Sequence, residues 1–120
     1  MGPMPTADAA QLDRAFHALA DESRRAMVVR LSRGAASVSE LAAPLDMSLP
    51  SVMQHLDVLQ RSGVVRSQKV GRVRMCRLEP GPMRTLELWI GEHREIWERH
   101  FDRLSEVLDD TFPTDQGDPR

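Results

Sequence analysis

Residues 39–78 read "SELAAPLDMSLPSVMQHLDVLQRSGVVRSQKVGRVRMCRL", and this stretch decides the fold. Ser39 can cap a short helix containing Leu41 and Ala42, which Pro44 limits. A brief turn around Asp46 and Met47 follows. Ser48 can cap the next helix, with Pro50 in its first turn, where a missing N–H costs little. Val52, Leu56 and Leu59 recur at helical spacing and mark its inward face, and Gly63 stops it. Residues 64–70 and 72–78 are rich in β-branched and alternating side chains around Gly71, which predicts a hairpin. Helix, turn, helix and two-stranded ribbon make a helix-turn-helix followed by a wing.

The flanks extend this pattern. Leu12, Phe16 and Leu19 give a first amphipathic helix. Asp21 can cap a second, with Met27, Val28 and Leu31 buried and Gly34 at its end. Beyond the hairpin, Glu79, Pro80, Gly81 and Pro82 break the chain, and a long helix is expected over about 83–110. The expected fold is therefore mainly α: a winged helix-turn-helix with a two-stranded β-wing and a long C-terminal dimerisation helix. One domain is expected over 9–112, between a flexible leader at 1–8 and a flexible tail at 113–120.

Charge is segregated along the 120 residues. Between positions 58 and 78 lie six basic side chains (Arg61, Arg66, Lys69, Arg72, Arg74 and Arg77) and no acidic one. The remainder is acidic, which the net charge of −2 conceals. One positive patch on a negative protein points to a polyanion that docks in one place. Its position on a helix end and a hairpin narrows that partner to double-stranded DNA.

Residues near the start of the second helix of the motif face bases when such a helix enters a major groove. Gln54 can pair with adenine N6 and N7, and Ser48, Ser51 and His55 can donate to phosphates or bases. The plainer alternatives are that Ser48 only caps the helix and that His55 is a packed surface histidine. On the wing, Arg72 and Arg74 are expected on one strand face with Lys69 near the tip, able to follow the backbone or enter a narrow minor groove. The alternative there is a charged edge strand that resists aggregation. Arg61 completes the candidate DNA contacts.

The run from Phe16 to Leu78 resembles the winged-helix ArsR-type transcription regulators. The pieces that carry the resemblance are "ALADESRR", "SVSELA", "MSLPSVMQHLDVLQRSGVV" and "KVGRVRMCRL". The resemblance implies a homodimeric DNA-binding repressor, acting on an operator near its own gene. It implies DNA contacts at Ser48, Ser51, Gln54, His55, Arg72 and Arg74. Many such regulators sense metal through a cysteine pair on the helix predicted to start at Ser39. Leu41, Ala42 and Ala43 stand there, so the chain is more similar to the branch without that site. Met53 replaces a small hydroxyl residue common in relatives.

The last helix carries a heptad-like stripe of Met83, Leu86, Ile90, His93, Trp97, His100, Leu104 and Val107. A second row of Trp89, Ile96, Phe101 and Leu108 widens it. Such a face has more to bury than one subunit offers, which predicts pairing with a second copy and with the first helix. The candidate interface residues are Leu12, Phe16, Leu86, Trp89, Ile90, His93, Trp97 and Leu104. The two DNA-reading helices of a dimer would then sit about one duplex turn apart, roughly 34 Å. Some relatives bind zinc on this helix, which makes a metal-responsive repressor the first alternative. His93 and His100, with Glu92, Glu95 and His17 as possible neighbours, do not form a closed ligand set, so no metal or other cofactor is expected.

Other classes fit less well. The sequence has no glycine-rich phosphate loop and no nucleophile in a recognisable catalytic setting, and its four histidines are scattered; an enzyme is not expected. A winged-helix protein-interaction module has no need of the cationic window. No apolar stretch approaches the ~20 residues of a membrane span. The lone Cys76 reads as a small buried apolar residue and fits a reducing cytoplasm. Any small-molecule or metal effector is left unidentified.

Overall fold

The computed structural model describes residues 6–111. The elements are α1 (Thr6–Ala18), α2 (Glu22–Leu31), β1 (Ala36–Ser37), α3 (Val38–Ala42), α4 (Leu49–Arg61), β2 (Val65–Val70), β3 (Val73–Leu78) and α5 (Pro80–Thr111). Helix α1 begins at Thr6, so the last residues of the expected leader are helical. Residues 1–5 and the whole expected tail lie outside the described residues. The chain divides into two units, the first ending at Glu87 and the second starting at Leu88.

The first unit closes around one core. Met27, Leu41, Val52, Leu56, Leu59, Val64 and Cys76 are almost completely buried, and Leu19, Val38, Leu45, Met47, Leu78 and Met83 pack against them. The i, i+3, i+4 spacing in α2 and α4 directs these side chains to one side of each helix. On α1 the inward residues are Leu12, Ala15 and Ala18, whereas Phe16 is 43% exposed. Of the expected stripe of Leu12, Phe16 and Leu19, only Phe16 turns outward, and the small alanines let α1 approach the core.

Caps fix the helix starts. Asp21 accepts from Arg24 N at 3.1 Å, and this bond holds the Asp21 carboxyl below its usual range. Helix α3 is capped by Ser37, not Ser39. Ser37 Oγ accepts from Glu40 N at 3.0 Å, and Glu40 Oε1 accepts from Ser37 N at 2.8 Å. Ser39 has no acid three residues on, so the reciprocal pair forms two residues earlier.

The sheet has three antiparallel strands in the order β1-β3-β2. Val65 lies opposite Leu78, Ser67 opposite Cys76, and Lys69 opposite Arg74. Strand β1 pairs Ala36 with Cys76 and Ser37 with Met75, anchoring the hairpin to the helix-turn-helix. Two residues are too few to show alternation, which is why the sequence predicts only two strands. Gly71 turns the hairpin with φ +64°, a conformation that L side chains rarely adopt. Cys76 is buried, and desolvation raises its thiol pKa.

Candidate nucleic-acid interface

Helix α4 presents Pro50, Gln54, Asp57 and Arg61 away from the core, opposite Val52, Leu56 and Leu59. Ser48 caps it: Ser48 Oγ accepts from Ser51 N at 3.3 Å and lies 3.0 Å from Ser51 Oγ. The first turn carries no acid. The positive end of the helix dipole suits a phosphate. Gln54 is exposed one turn further on.

His55 is placed differently from Gln54. Its Nδ1 lies 3.4 Å from Arg24 Nη1 and 3.8 Å from Asp21 Oδ1. The guanidinium can only donate, so Nδ1 accepts in this contact. Arg24 also donates through Nε to Ala18 O at 2.8 Å and through Nη2 to His17 O at 3.1 Å. One guanidinium therefore ties the end of α1 to α4, and His55 is part of that tie. Sequence reasoning missed Arg24; the signal was an arginine three residues after a helix cap, close enough to reach back over the preceding carbonyls.

The six cations are not equivalent. Arg61 Nε pairs with Asp57 Oδ2 at 2.9 Å. Glu79 Oε1 is shared by Arg66 Nε at 3.1 Å and Arg77 Nη2 at 3.6 Å. Both acids lie just outside the acid-free window, and the fold turns them back onto it. Arg61 is thus a neutralised candidate, two helical turns from Gln54, about 10 Å along the axis. Lys69, Arg72 and Arg74 have no carboxylate partner among the described residues, and all three are exposed near the hairpin tip. Arg72 lies in the turn with Gly71 rather than on a strand face, so it does not alternate with Arg74 as expected. The tip also brings Lys69 and Arg74 together as a cross-strand pair of like charge. Such a pair is unfavourable alone and is relieved by an anion.

A hydrogen-bond chain links wing and helix. Ser67 Oγ donates to Gln60 Oε1 at 2.8 Å, and Arg74 Nη1 donates to Ser67 Oγ at 3.0 Å. It sets the wing strand against the exposed side of α4. Nothing local in the sequence marks it, because its members come from three elements.

The expected interface residues divide. In the first unit, Leu12 and Leu86 are 8% and 7% exposed. Their own subunit already buries most of their surface. In the second unit, Trp89, Ile90, His93 and Trp97 are half-buried and Leu104 is 47% exposed. Trp89, His93 and Trp97 form a row of rings with centroids 4.6 Å and 5.7 Å apart. His93 Nδ1 is 2.8 Å from Trp89 O and donates to it, and His100 is exposed. Among the described residues, no group of three His, Cys, Asp or Glu could hold a metal ion.

A helix-turn-helix domain model matches residues 19–68. The crystal structure of an ArsR family transcriptional regulator is 49% identical, covers 82% of this chain and 97% of that one, and superposes with a TM-score of 0.68. The chain belongs to the ArsR family of transcriptional regulators. This ArsR family member is also 37% identical to the HTH-type transcriptional regulator Rv2034 of Mycobacterium tuberculosis, over 81% of this chain and 88% of that protein. A possible ArsR-family regulator of Mycobacterium bovis, whose solution structure is a homodimeric winged helix-turn-helix DNA-binding domain, is 25% identical, with a TM-score of 0.60 over 83% of this chain and 96% of that one. The winged helix-turn-helix fold and the family expected from the sequence both hold. No helix among the described residues is long and apolar enough to cross a membrane.

Proposed function

We propose that this ArsR family regulator is a homodimeric repressor that binds a pseudo-palindromic duplex operator near its own gene. Helix α4 enters the major groove, with Gln54 at an adenine and the Ser48–Ser51 end at a phosphate. Lys69, Arg72 and Arg74 hold the flanking backbone or minor groove. His55 acts from behind by fixing α4. The observation that carries this reading is the cluster of three uncompensated cations at the wing tip, on a ribbon hydrogen-bonded to α4 through Ser67. Dimerisation is supported by the exposed apolar face of the second unit and by the homodimeric relative. Repression follows from occupancy, because a bound dimer blocks polymerase. A DNA target and a single buried thiol fit a cytoplasmic protein with no enzymatic role.

The test is fluorescence anisotropy against a duplex from upstream of the gene and an unrelated duplex, at two salt concentrations. Preferential binding upstream, falling steeply with salt, is expected. No binding to either duplex at low salt overturns the reading in favour of a protein-interaction module.

A further inference from the structure

Leu49 and Met53 are 57% and 41% exposed. They are the large apolar side chains of α4 left in solvent, and neither joins the core nor packs against it. Spaced i, i+4, they are neighbours on one side of the helix, covering about 6 Å of its axis. Met53 adjoins Gln54, and Leu49 follows directly on the Ser48 cap. The helix that carries the candidate base contacts thus also carries an apolar strip beside them.

We propose that Leu49 and Met53 select thymine by packing on its C5 methyl group. The inference rests on the DNA reading above, and it names the bases that the same helix reads. When α4 lies in a major groove, these side chains are covered by base edges. Adenine, guanine and cytosine present donors and acceptors there, which an apolar cover leaves unpaired. Thymine alone presents a methyl group. A strip of about 6 Å spans two neighbouring base pairs, whose rise is about 3.4 Å each. Each half-site therefore carries one or two adjacent thymines next to the adenine taken by Gln54.

The experiment begins with selection of duplexes from a random-sequence pool by the full chain. Each thymine of the selected duplex is then replaced singly by deoxyuridine, which deletes the methyl group and leaves base pairing intact. Binding is measured for the unaltered protein and for the Leu49→Ala and Met53→Ala variants, whose thermal unfolding is checked first. Loss of about fourfold per critical methyl is expected for the unaltered protein. That loss disappears in the variant lacking the contacting side chain. No enriched sequence overturns the DNA reading itself. An enriched site without thymine, or one indifferent to every uracil, overturns this inference while leaving DNA binding intact. Equal uracil sensitivity in both variants overturns the assignment to these two residues.

Discussion

Leu41, Val52, Leu56 and Leu59 in the first unit are at most 1% exposed, whereas Leu88, Ile96, Phe101, Leu104, Val107 and Leu108 in the second keep 45–62% of their surface in solvent. Both sets sit on amphipathic helices with similar spacing. The first set meets other elements of its own unit; the second runs along one helix with no second layer among that unit's described residues. Burying such a side chain is worth about 1.5–3 kcal/mol, so the first unit gains its stability internally. The second has that gain still to make, and helices in proteins draw most of their stability from packing an amphipathic face. Amphipathicity alone does not tell a core-forming face from an associating one.

The largest expected effect tests the closed unit. Leu56→Ala should cost about 2–5 kcal/mol in urea unfolding, since it empties a site at the centre of the core. A cost under about 1 kcal/mol would show that the core is not the one described.

The next tests the open face. Phe101→Glu together with Leu104→Glu should convert dimer to monomer in sedimentation velocity, by about 2 kcal/mol or more of association energy. Helix content of the first unit should persist in circular dichroism. A double variant that remains dimeric at micromolar concentration would remove the second unit's face as the interface.

Within the first unit, Gln54→Ala should cost about 1–3 kcal/mol on the operator and relax preference at one or two base pairs. Loss spread evenly over all sequences would reassign Gln54 to the backbone. Arg72→Ala and Arg74→Ala should weaken binding to every duplex, each lowering the salt slope by about 0.9 for the phosphate it no longer neutralises. Arg61→Ala should change the slope less, because Asp57 already compensates it. Equal slopes for all three would mean that the Arg61–Asp57 pair opens on DNA.

The smallest effect concerns the Asp21 cap. Its carboxyl titrates below the ordinary value in the folded chain, chiefly through the Arg24 N–H. Its contribution is therefore fully present above about pH 4 and is lost as pH falls through the lower folded value. Thermal unfolding of Asp21→Asn should lack this acid-side loss, and an unchanged pH profile would remove Asp21 as its source.

Much of the site was legible in the sequence. Serine before a leucine–proline pair announces α4, and Val52, Leu56 and Leu59 show which side it buries, so Gln54 falls outward by elimination. The wing is legible because Gly71 divides two alternating runs. The Asp57–Arg61 pair, four residues apart on one helix, was legible but overlooked, and the Glu79–Arg66 pair was not legible. An acid-free window counts neighbours in sequence, whereas Asp57 reaches Arg61 along a helix turn and Glu79 reaches Arg66 across a hairpin. His55 was ambiguous for the same reason: its partners, Asp21 and Arg24, are more than thirty positions away.

The sequence by itself determined the order of elements, the inward residues of α2 and α4, the turn at Gly71, and the site of excess positive charge. These follow from local periodicity, capping chemistry and backbone restriction, which act within a few residues. Tertiary structure decided which cations stay uncompensated, that His55 meets Arg24 and Asp21, that Leu12 and Leu86 are buried within the subunit, and that β1 ties the wing to the helices. Apart from the local Asp57–Arg61 and Arg77–Glu79 pairs, these depend on distances between residues far apart in the chain, which exist only once the core has closed.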